Sequence, residues 1–334
     1  MAPRKQFVNL TATHPLVEEL KSGKHEWWTT LVNHSHKDSD INIQVRGNYL
    51  SVYNRMGSLL TIRLNEKKEV VCRIHYKYLI AARSDEYVNV IPDGKDLAVE
   101  LKSCNLVTSI LEEKNFKRIK SNIARLAGEE KGIQSKLVEK NRNTLLDVEI
   151  AFSDSGTLID SEEENASSSG NTRIDLVNYD KNRNALVFIE LKQIFDGRLY
   201  SDSKNHKEVN EQIAKYKAFA QNHEAEIIKT YNDVIEVKRV LGLLPDGSAL
   251  KSAKIECVEP KPILAIAAYN QDIIDVRRKL VEKDLNTKDL TALYFFGPPI
   301  DLNLPLKKDK NKELFHLKVG IFQGVRKFLV DAVP

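Results

Sequence analysis

Residues 173–192, RIDLVNYDKNRNALVFIELK, decide how we interpret the fold of this chain. Two apolar runs flank a polar segment at residues 179–184, which is the pattern of a β-hairpin. Because side chains alternate along a strand, Glu190 and Lys192 share one face of the second strand, and Asp175 can meet them from the first. Charged groups in apolar strands cost free energy unless they are paired or bind a metal ion. The hairpin is therefore where we expect a functional site.

The composition is that of a chain with room for two domains. It has 334 residues, of which 42% are hydrophobic, enough to form real cores. The net charge is +4, and residues 1–125 hold 20 Lys and Arg against 14 Asp and Glu. A basic amino-terminal part is compatible with a polyanionic partner, but ordinary surface charge explains it equally well.

The cysteines and the apolar runs exclude several classes of protein. Cys72, Cys104 and Cys257 lie far apart, without the spacing of a zinc site or a disulfide framework. The first residues lack the apolar segment of a signal peptide, and the longest apolar run, 262–269, is well below the roughly 20 residues of a membrane span. We expect a cytoplasmic protein that does not associate with membranes.

The amino-terminal part, residues 1–105, has the pattern of a smaller β-rich domain. Short alternating runs separated by Gly, Asn, Asp and Ser continue from residue 41 to residue 92. Arginines such as Arg63 and Arg73 are interleaved with tyrosines such as Tyr53 and Tyr76. Such a face could bind nucleic acid or a protein partner, and a half-exposed antiparallel sheet would give the same pattern.

The rest of the chain, residues 106–334, reads as an α/β domain. Helix signals cover 106–116 and 119–141, and the second of these places Glu130 on its apolar face. A strand at 145–152, a polar loop, the hairpin, a helix at 206–222 that contains Gln212, and strands at 263–269 and 291–296 follow. A helix at 272–283 and a mostly helical end at 314–330 complete the pattern. We expect a central mixed β-sheet flanked by helices.

An aspartate, a glutamate and a lysine together suit metal-assisted phosphate chemistry. Mg²⁺ or Mn²⁺ prefers hard oxygen ligands, lowers the pKa of a bound water and reaches phosphate oxygens. Glu-x-Lys alone is weak evidence, since seven further pairs occur in the chain, among them Glu236 and Lys238. The strongest competitor, around Asp93, Glu100 and Lys102, places its first acid in a Pro-Asp-Gly turn, so we prefer the Asp175 site.

Taken together, Glu130 on a helix, Asp175 in RIDLV, Glu190-Leu191-Lys192 in VFIELK and Gln212 on the next helix resemble the PD-(D/E)XK nuclease superfamily over about residues 126–270. The resemblance implies a restriction-endonuclease-like fold and metal-dependent hydrolysis of phosphodiester bonds. It implies Asp175, Glu190, the Leu191 carbonyl and Glu130 as metal ligands, Lys192 acting on the attacking water, and Gln212 as a supporting catalytic residue. Ile174 stands where the family motif has proline.

The leading hypothesis is an Mg²⁺-dependent or Mn²⁺-dependent endodeoxyribonuclease, with DNA rather than RNA as substrate. The resemblance points to prokaryotic restriction or phage defence. The alternative is a catalytically silent nuclease-like module that binds nucleic acid or a protein partner, and a homo-oligomer is left open. No phosphate-binding loop, nucleophile elbow or dinucleotide fingerprint supports another enzyme class.

Overall fold

A computed structural model describes residues 10–80, 86–101, 106–152, 172–200, 208–268 and 271–296. The chain divides into two compact units. The first unit contains the residues up to Asp147 together with 229–254, and the second contains the hairpin and residues 255 onward. The helical end expected at 314–330 and the polar loop expected after residue 152 lie outside the described residues.

The strands form two sheets. The thirteen described strands are β1 Ile41–Val45, β2 Leu50–Asn54, β3 Gly57–Leu64, β4 Val70–His75, β5 Tyr87–Asp93, β6 Asp96–Leu101, β7 Leu106–Ser109, β8 Leu145–Phe152, β9 Thr172–Asp180, β10 Ala185–Gln193, β11 Cys257–Val258, β12 Ile263–Ala267 and β13 Ala292–Phe296. Strands β1 to β7 pair in sequence order as an antiparallel meander. The second sheet has the order β13-β12-β10-β9-β8, with β11 beside β10.

Helices lie close to the expected ranges 206–222 and 272–283, whereas residues 76–80, expected within the β pattern, form a short helix instead. The eight described α-helices are α1 Pro15–Lys21, α2 Glu26–Lys37, α3 Tyr76–Ile80, α4 Glu113–Leu126, α5 Glu129–Lys140, α6 Glu208–Asn222, α7 Glu224–Val240 and α8 Gln271–Asp284. In the described part of the chain, no helix is long and apolar enough to cross a membrane.

The second sheet is mixed. Strand β10 is antiparallel to β9 and parallel to β11 and β12, and β12 is parallel to β13. Every residue of β10 except Gln193 is buried, which is typical of a central strand covered on both faces. The expected mixed α/β architecture is confirmed at this level.

Two helix expectations for residues 106–141 are wrong. Residues 106–109 are not helical, because they pair with β6 as the last strand of the meander. A run as short as Leu106-Val107-Thr108 cannot be assigned to a strand or a helical turn by periodicity alone. The meander thus extends to Ser109, and the first unit includes α5 and most of α7.

The single helix expected over 119–141 is two helices. Helix α4 ends at Leu126, Ala127 is extended, and α5 begins after the cap residue Gly128. Glu130 is consequently the second residue of a new helix, where a negative charge is favoured by the helix dipole. Its side chain is exposed, so the expectation that it faces a core is wrong.

The first unit contains a cluster of buried charges. Arg46 forms an ion pair with Asp147 at the start of β8, and its guanidinium donates to the Tyr53 hydroxyl at 3.2 Å. Lys238 on α7 donates to Gln44 Oε1 at 2.7 Å and to the Leu146 carbonyl. Burial lowers the pKa of Lys238 to about 8. Because buried charges need partners, this cluster depends on each of its members.

Candidate active site

The hairpin predicted from the sequence places the candidate residues at its open end. Strands β9 and β10 pair in a register from Asp180 opposite Ala185 to Leu176 opposite Ile189. The next residues beyond this register are Asp175 and Glu190. Both acids therefore lie at the end of the strand pair, away from the turn.

The Asp175 carboxylate is fixed by the backbone of the neighbouring strand. Its Oδ2 accepts a hydrogen bond from the Leu191 N–H at 2.7 Å. The backbone pairing of β9 with β10 ends at Ile189, two residues before this bond. A side-chain carboxylate therefore accepts from a backbone N–H of the central strand. The bond also fixes Asp175 beside the Glu190-Leu191-Lys192 segment.

Glu190 and Lys192 form a buried ion pair. Lys192 Nζ donates to Glu190 Oε1 and lies 3.3 Å from the Leu191 carbonyl oxygen. The side chains are only 1% and 3% exposed, respectively. Such burial is costly for an ion pair, and unlike the buried Arg46–Asp147 pair this one lies beside a second acid, Asp175.

Helix α6 supplies two further residues. The Tyr216 hydroxyl contacts Glu190 Oε2 at 2.5 Å and also the carbonyl oxygen of Arg173. Gln212, one turn earlier, donates from Nε2 to the Tyr216 oxygen at 2.6 Å. Gln212 therefore reaches Glu190 through Tyr216. Sequence reasoning gave Tyr216 no role, although its i, i+4 spacing from Gln212 puts the two residues on one helix face.

The electrostatics of the site reflect two carboxylates close together. Burial raises the pKa of Asp175 well above its ordinary value, and the Glu190 carboxylate raises it further. Burial also raises the pKa of Glu190, against the opposing effects of Lys192 and Tyr216. Burial and the charge of Glu190 raise the pKa of Tyr216 well above its usual value, so its hydroxyl keeps its proton.

Glu149 on β8 is a third acid near the site, and the sequence interpretation did not select it. Its charge raises the pKa of Asp175, and its Oε2 lies 3.6 Å from Arg173 Nη1. Its backbone φ is +52°, an uncommon value for a non-glycine residue and especially inside a strand. The pattern of β8 gave no signal for this irregularity.

The turn after β10 carries another charged pair. Arg198 binds Asp196 through its Nε and Nη2 atoms, with Nε 2.9 Å from Oδ1. The guanidinium lowers the pKa of Asp196, to which the charge of Lys192 also contributes. This turn therefore lies within electrostatic reach of the hairpin site.

The structure thus brings together Asp175, Glu190, Leu191, Lys192 and Gln212, with Tyr216 as an addition. Glu130 is exposed and belongs to the first compact unit, and its proposed role as a ligand stays a prediction. Among the described residues, no three His, Cys, Asp or Glu side chains are already arranged around a common metal position. Two carboxylates and the Leu191 carbonyl are nevertheless hard oxygen donors of the type that suits Mg²⁺ or Mn²⁺.

Comparison with protein-family models, with curated proteins and with solved structures gives no match for this chain. The functional assignment consequently depends on the residues of the site.

Proposed function

We propose that this chain is a metal-dependent endonuclease that hydrolyses phosphodiester bonds of DNA. The observation that carries the proposal is the meeting of Asp175 with the buried Glu190–Lys192 pair at the end of two paired strands. Binding alone does not require two carboxylates and a lysine to be buried together. The resemblance to the PD-(D/E)XK superfamily supports the same reaction and a setting in prokaryotic restriction or phage defence.

The proposed ligands for Mg²⁺ or Mn²⁺ are Asp175, Glu190 and the carbonyl oxygen of Leu191. The donor set fits a hard cation, and a positive ion would offset the cost of burying both carboxylates and the repulsion by Glu190 that raises the pKa of Asp175. When bound, such a metal lowers the pKa of a coordinated water and neutralises charge on phosphate oxygens.

Lys192 and α6 supply the remaining functions. In hydrolysis, a water oxygen bonds to phosphorus and gives up a proton to solvent, the bond from phosphorus to the leaving oxygen breaks, and the leaving oxygen takes up a proton from solvent. Lys192 Nζ, held by Glu190 Oε1 and near the Leu191 carbonyl, can orient that water through a hydrogen bond. Tyr216 holds the other oxygen of Glu190, and Gln212 holds Tyr216.

One observation favours the second candidate, a nuclease-like module that binds nucleic acid or a protein without cutting. Both oxygens of Glu190 already have protein partners, Lys192 on Oε1 and Tyr216 on Oε2. A metal ion would have to share or displace one of these contacts. The two candidates differ in whether metal ions alter the protein and whether a substrate is cut.

A cleavage assay separates them. Plasmid, linear duplex, single-stranded DNA and RNA are each incubated with Mg²⁺, Mn²⁺ or EDTA. We expect metal-dependent cutting of DNA that Asp175→Ala and Lys192→Ala abolish. Lys114→Ala is a matched control, because Lys114 belongs to an exposed Glu-x-Lys sequence at the start of α4. Cutting that survives both site substitutions would overturn the site assignment, and no cutting of any polymer would favour the binding module.

A further inference from the structure

Arg277, on α8, is held against two aromatic rings of the turn that follows β10. The guanidinium carbon of Arg277 lies 4.6 Å from the ring centroid of Phe195 and 5.5 Å from that of Tyr200. Among the described residues, none forms an ion pair or hydrogen bond with Arg277, whereas the adjacent Arg278 pairs with Glu282 at 2.8 Å. Stacking on aromatic rings fixes the plane of a guanidinium and leaves its N–H groups able to bind an anion.

This aromatic–arginine cluster, consisting of Phe195, Tyr200 and Arg277, is connected to the site through the chain that follows β10. Phe195 comes three residues after Lys192, roughly 10 Å along an extended chain. The Tyr200 hydroxyl donates to the carbonyl of Ile194, which fixes the turn between them. The charge of Arg198, in this turn, acts on Glu190.

Phe195 is also one of the few large apolar side chains of the described chain that reach solvent, with 36% of its surface exposed. An exposed aromatic ring beside an uncommitted guanidinium is a combination found where single-stranded nucleic acid binds. The ring stacks on a base, and the guanidinium binds the backbone phosphate. In a duplex the bases are already stacked on one another, so the ring would have no partner.

We propose that the aromatic–arginine cluster binds an unpaired stretch of the substrate strand beside the scissile bond, with a phosphate on Arg277 and a base on Phe195. This inference rests on the proposed nuclease function and adds a substrate preference to it. The substrate class is single-stranded nucleic acid, or duplex with an unpaired end, flap or loop. Phosphate and base are common to DNA and RNA, and the experiment distinguishes the two.

The test measures binding of fluorescent oligonucleotides of about 20 nucleotides, the scale of one or two single-strand sites, to the full chain in EDTA by fluorescence anisotropy. The probes are single-stranded DNA, the matching duplex and RNA of the same sequence. We expect single strands to bind more tightly than duplex. We expect Arg277→Gln and Phe195→Leu each to weaken single-strand binding about tenfold, the size of one stacked base or one phosphate contact.

Two further variants, Arg278→Gln and Arg277→Lys, separate charge from packing. Arg278→Gln, which removes the neighbouring but paired arginine, should change the affinity less than about twofold. Arg277→Gln should also reduce the salt dependence of binding by about 0.7 in the logarithmic slope, whereas Arg277→Lys should keep that slope. Thermal unfolding of each variant identifies any loss of folded protein.

Equal affinity of Arg277→Gln and Arg278→Gln, or a preference for duplex, would overturn the inference. Weaker binding of RNA than of DNA would mean that the cluster prefers DNA. Equal binding would mean that it does not distinguish ribose from deoxyribose.

Cleavage of plasmid by the same preparations separates this inference from the proposed function. Cutting by the wild type together with normal binding by Arg277→Gln would retain the nuclease and reject the cluster. Binding that depends on Arg277 and Phe195, without cutting of any substrate, would retain the cluster and reject the nuclease.

Discussion

Tyr216 and Glu190 are joined by a hydrogen bond of 2.5 Å between the phenol and the carboxylate Oε2. The bond connects helix α6 to the central strand β10 and fixes one oxygen of Glu190 while Lys192 contacts the other. The orientation of this carboxylate is thus set from two sides. That arrangement leads to the first prediction.

Tyr216→Phe should lower the cleavage rate by about 10- to 100-fold while the protein stays folded. The substitution keeps the ring in the core and removes the hydroxyl that donates to Glu190 and accepts from Gln212, so Glu190 loses one restraint at a cost of about 1–3 kcal/mol. Steady-state cleavage and thermal unfolding are the measurements. Tyr294→Phe is the control, since Tyr294 is a buried tyrosine of β13 outside the site. Equal rates for the two variants would mean that Tyr216 does not position Glu190.

Asp175→Asn should stabilise the metal-free protein at neutral pH. The folded-state pKa of Asp175 is raised, so the folded protein holds a proton that the unfolded chain has released, and stability declines from about pH 4 up to the folded-state pKa. The asparagine side chain does not titrate, so the variant lacks this decline of stability with pH. Its amide oxygen can still accept the hydrogen bond from the Leu191 N–H. We expect the Tm at pH 7 in EDTA to rise by about 2–4 °C, the shift that corresponds to 1 kcal/mol in a chain of this size.

Mn²⁺ provides the complementary measurement for the same acid. It should raise the Tm of the wild type and should not raise that of Asp175→Asn. An Asn variant that is less stable than the wild type across the whole pH range would contradict the electrostatic account.

Lys238 has a pKa of about 8, below the ordinary value of 10.5, because its ammonium is buried. The unfolded chain therefore binds a proton more tightly than the folded one, and unfolding free energy should increase from pH 8 to about pH 10. Relative to Lys238→Met, the wild type should gain about 3 kcal/mol over this interval. Urea unfolding at several pH values measures the difference. Lys229→Met changes an exposed position on the same helix and should follow the wild type. If the pH dependence of the unfolding free energy of Lys238→Met were parallel to that of the wild type, the lowered pKa of Lys238 would be disproved.

Arg46→Met should destabilise the first unit by about 3–5 kcal/mol, because it leaves the buried Asp147 carboxylate without its cation. The double variant Arg46→Met/Asp147→Leu should recover part of that loss. Denaturant unfolding of the three proteins gives the coupling energy. The exposed pair Lys117–Glu113 is the comparison, and its removal should leave the stability nearly unchanged, because solvent and salt screen it. Equal losses at the two pairs would show that burial does not matter here.

The hairpin and its acids could be predicted because alternation along two strands and one polar turn determine which side chains meet. Tyr216 could be placed on the correct helix face, but the contact of its hydroxyl with Glu190 depends on how α6 packs on the sheet. Lys238 looked like a member of an ordinary Glu-x-Lys pair, and only the tertiary structure buries it. Local pattern contains no information about such burial.

The break between α4 and α5 shows the same limit on a smaller scale. Apolar residues continue at helical spacing from Leu126 to Leu137, so periodicity predicted one helix. The extended backbone of Ala127 overrides the pattern and turns Glu130 into an exposed residue of a first turn. A cap residue such as Gly128 was the available signal.

The neighbour-to-neighbour pairing of β1 to β7 has a consequence for how the protein acquires its structure. Each strand of this meander finds its partner within a few residues, so the loops to be closed are short and pairing should be fast. The sheet with the candidate site is completed only when β12 and β13 pair in parallel with it, and these strands follow β10 by 70 to 100 residues. We expect amide protons of the meander to become protected first in pulsed hydrogen exchange during refolding, with Glu190 and Lys192 enclosed late. Simultaneous protection of both sheets would contradict this order.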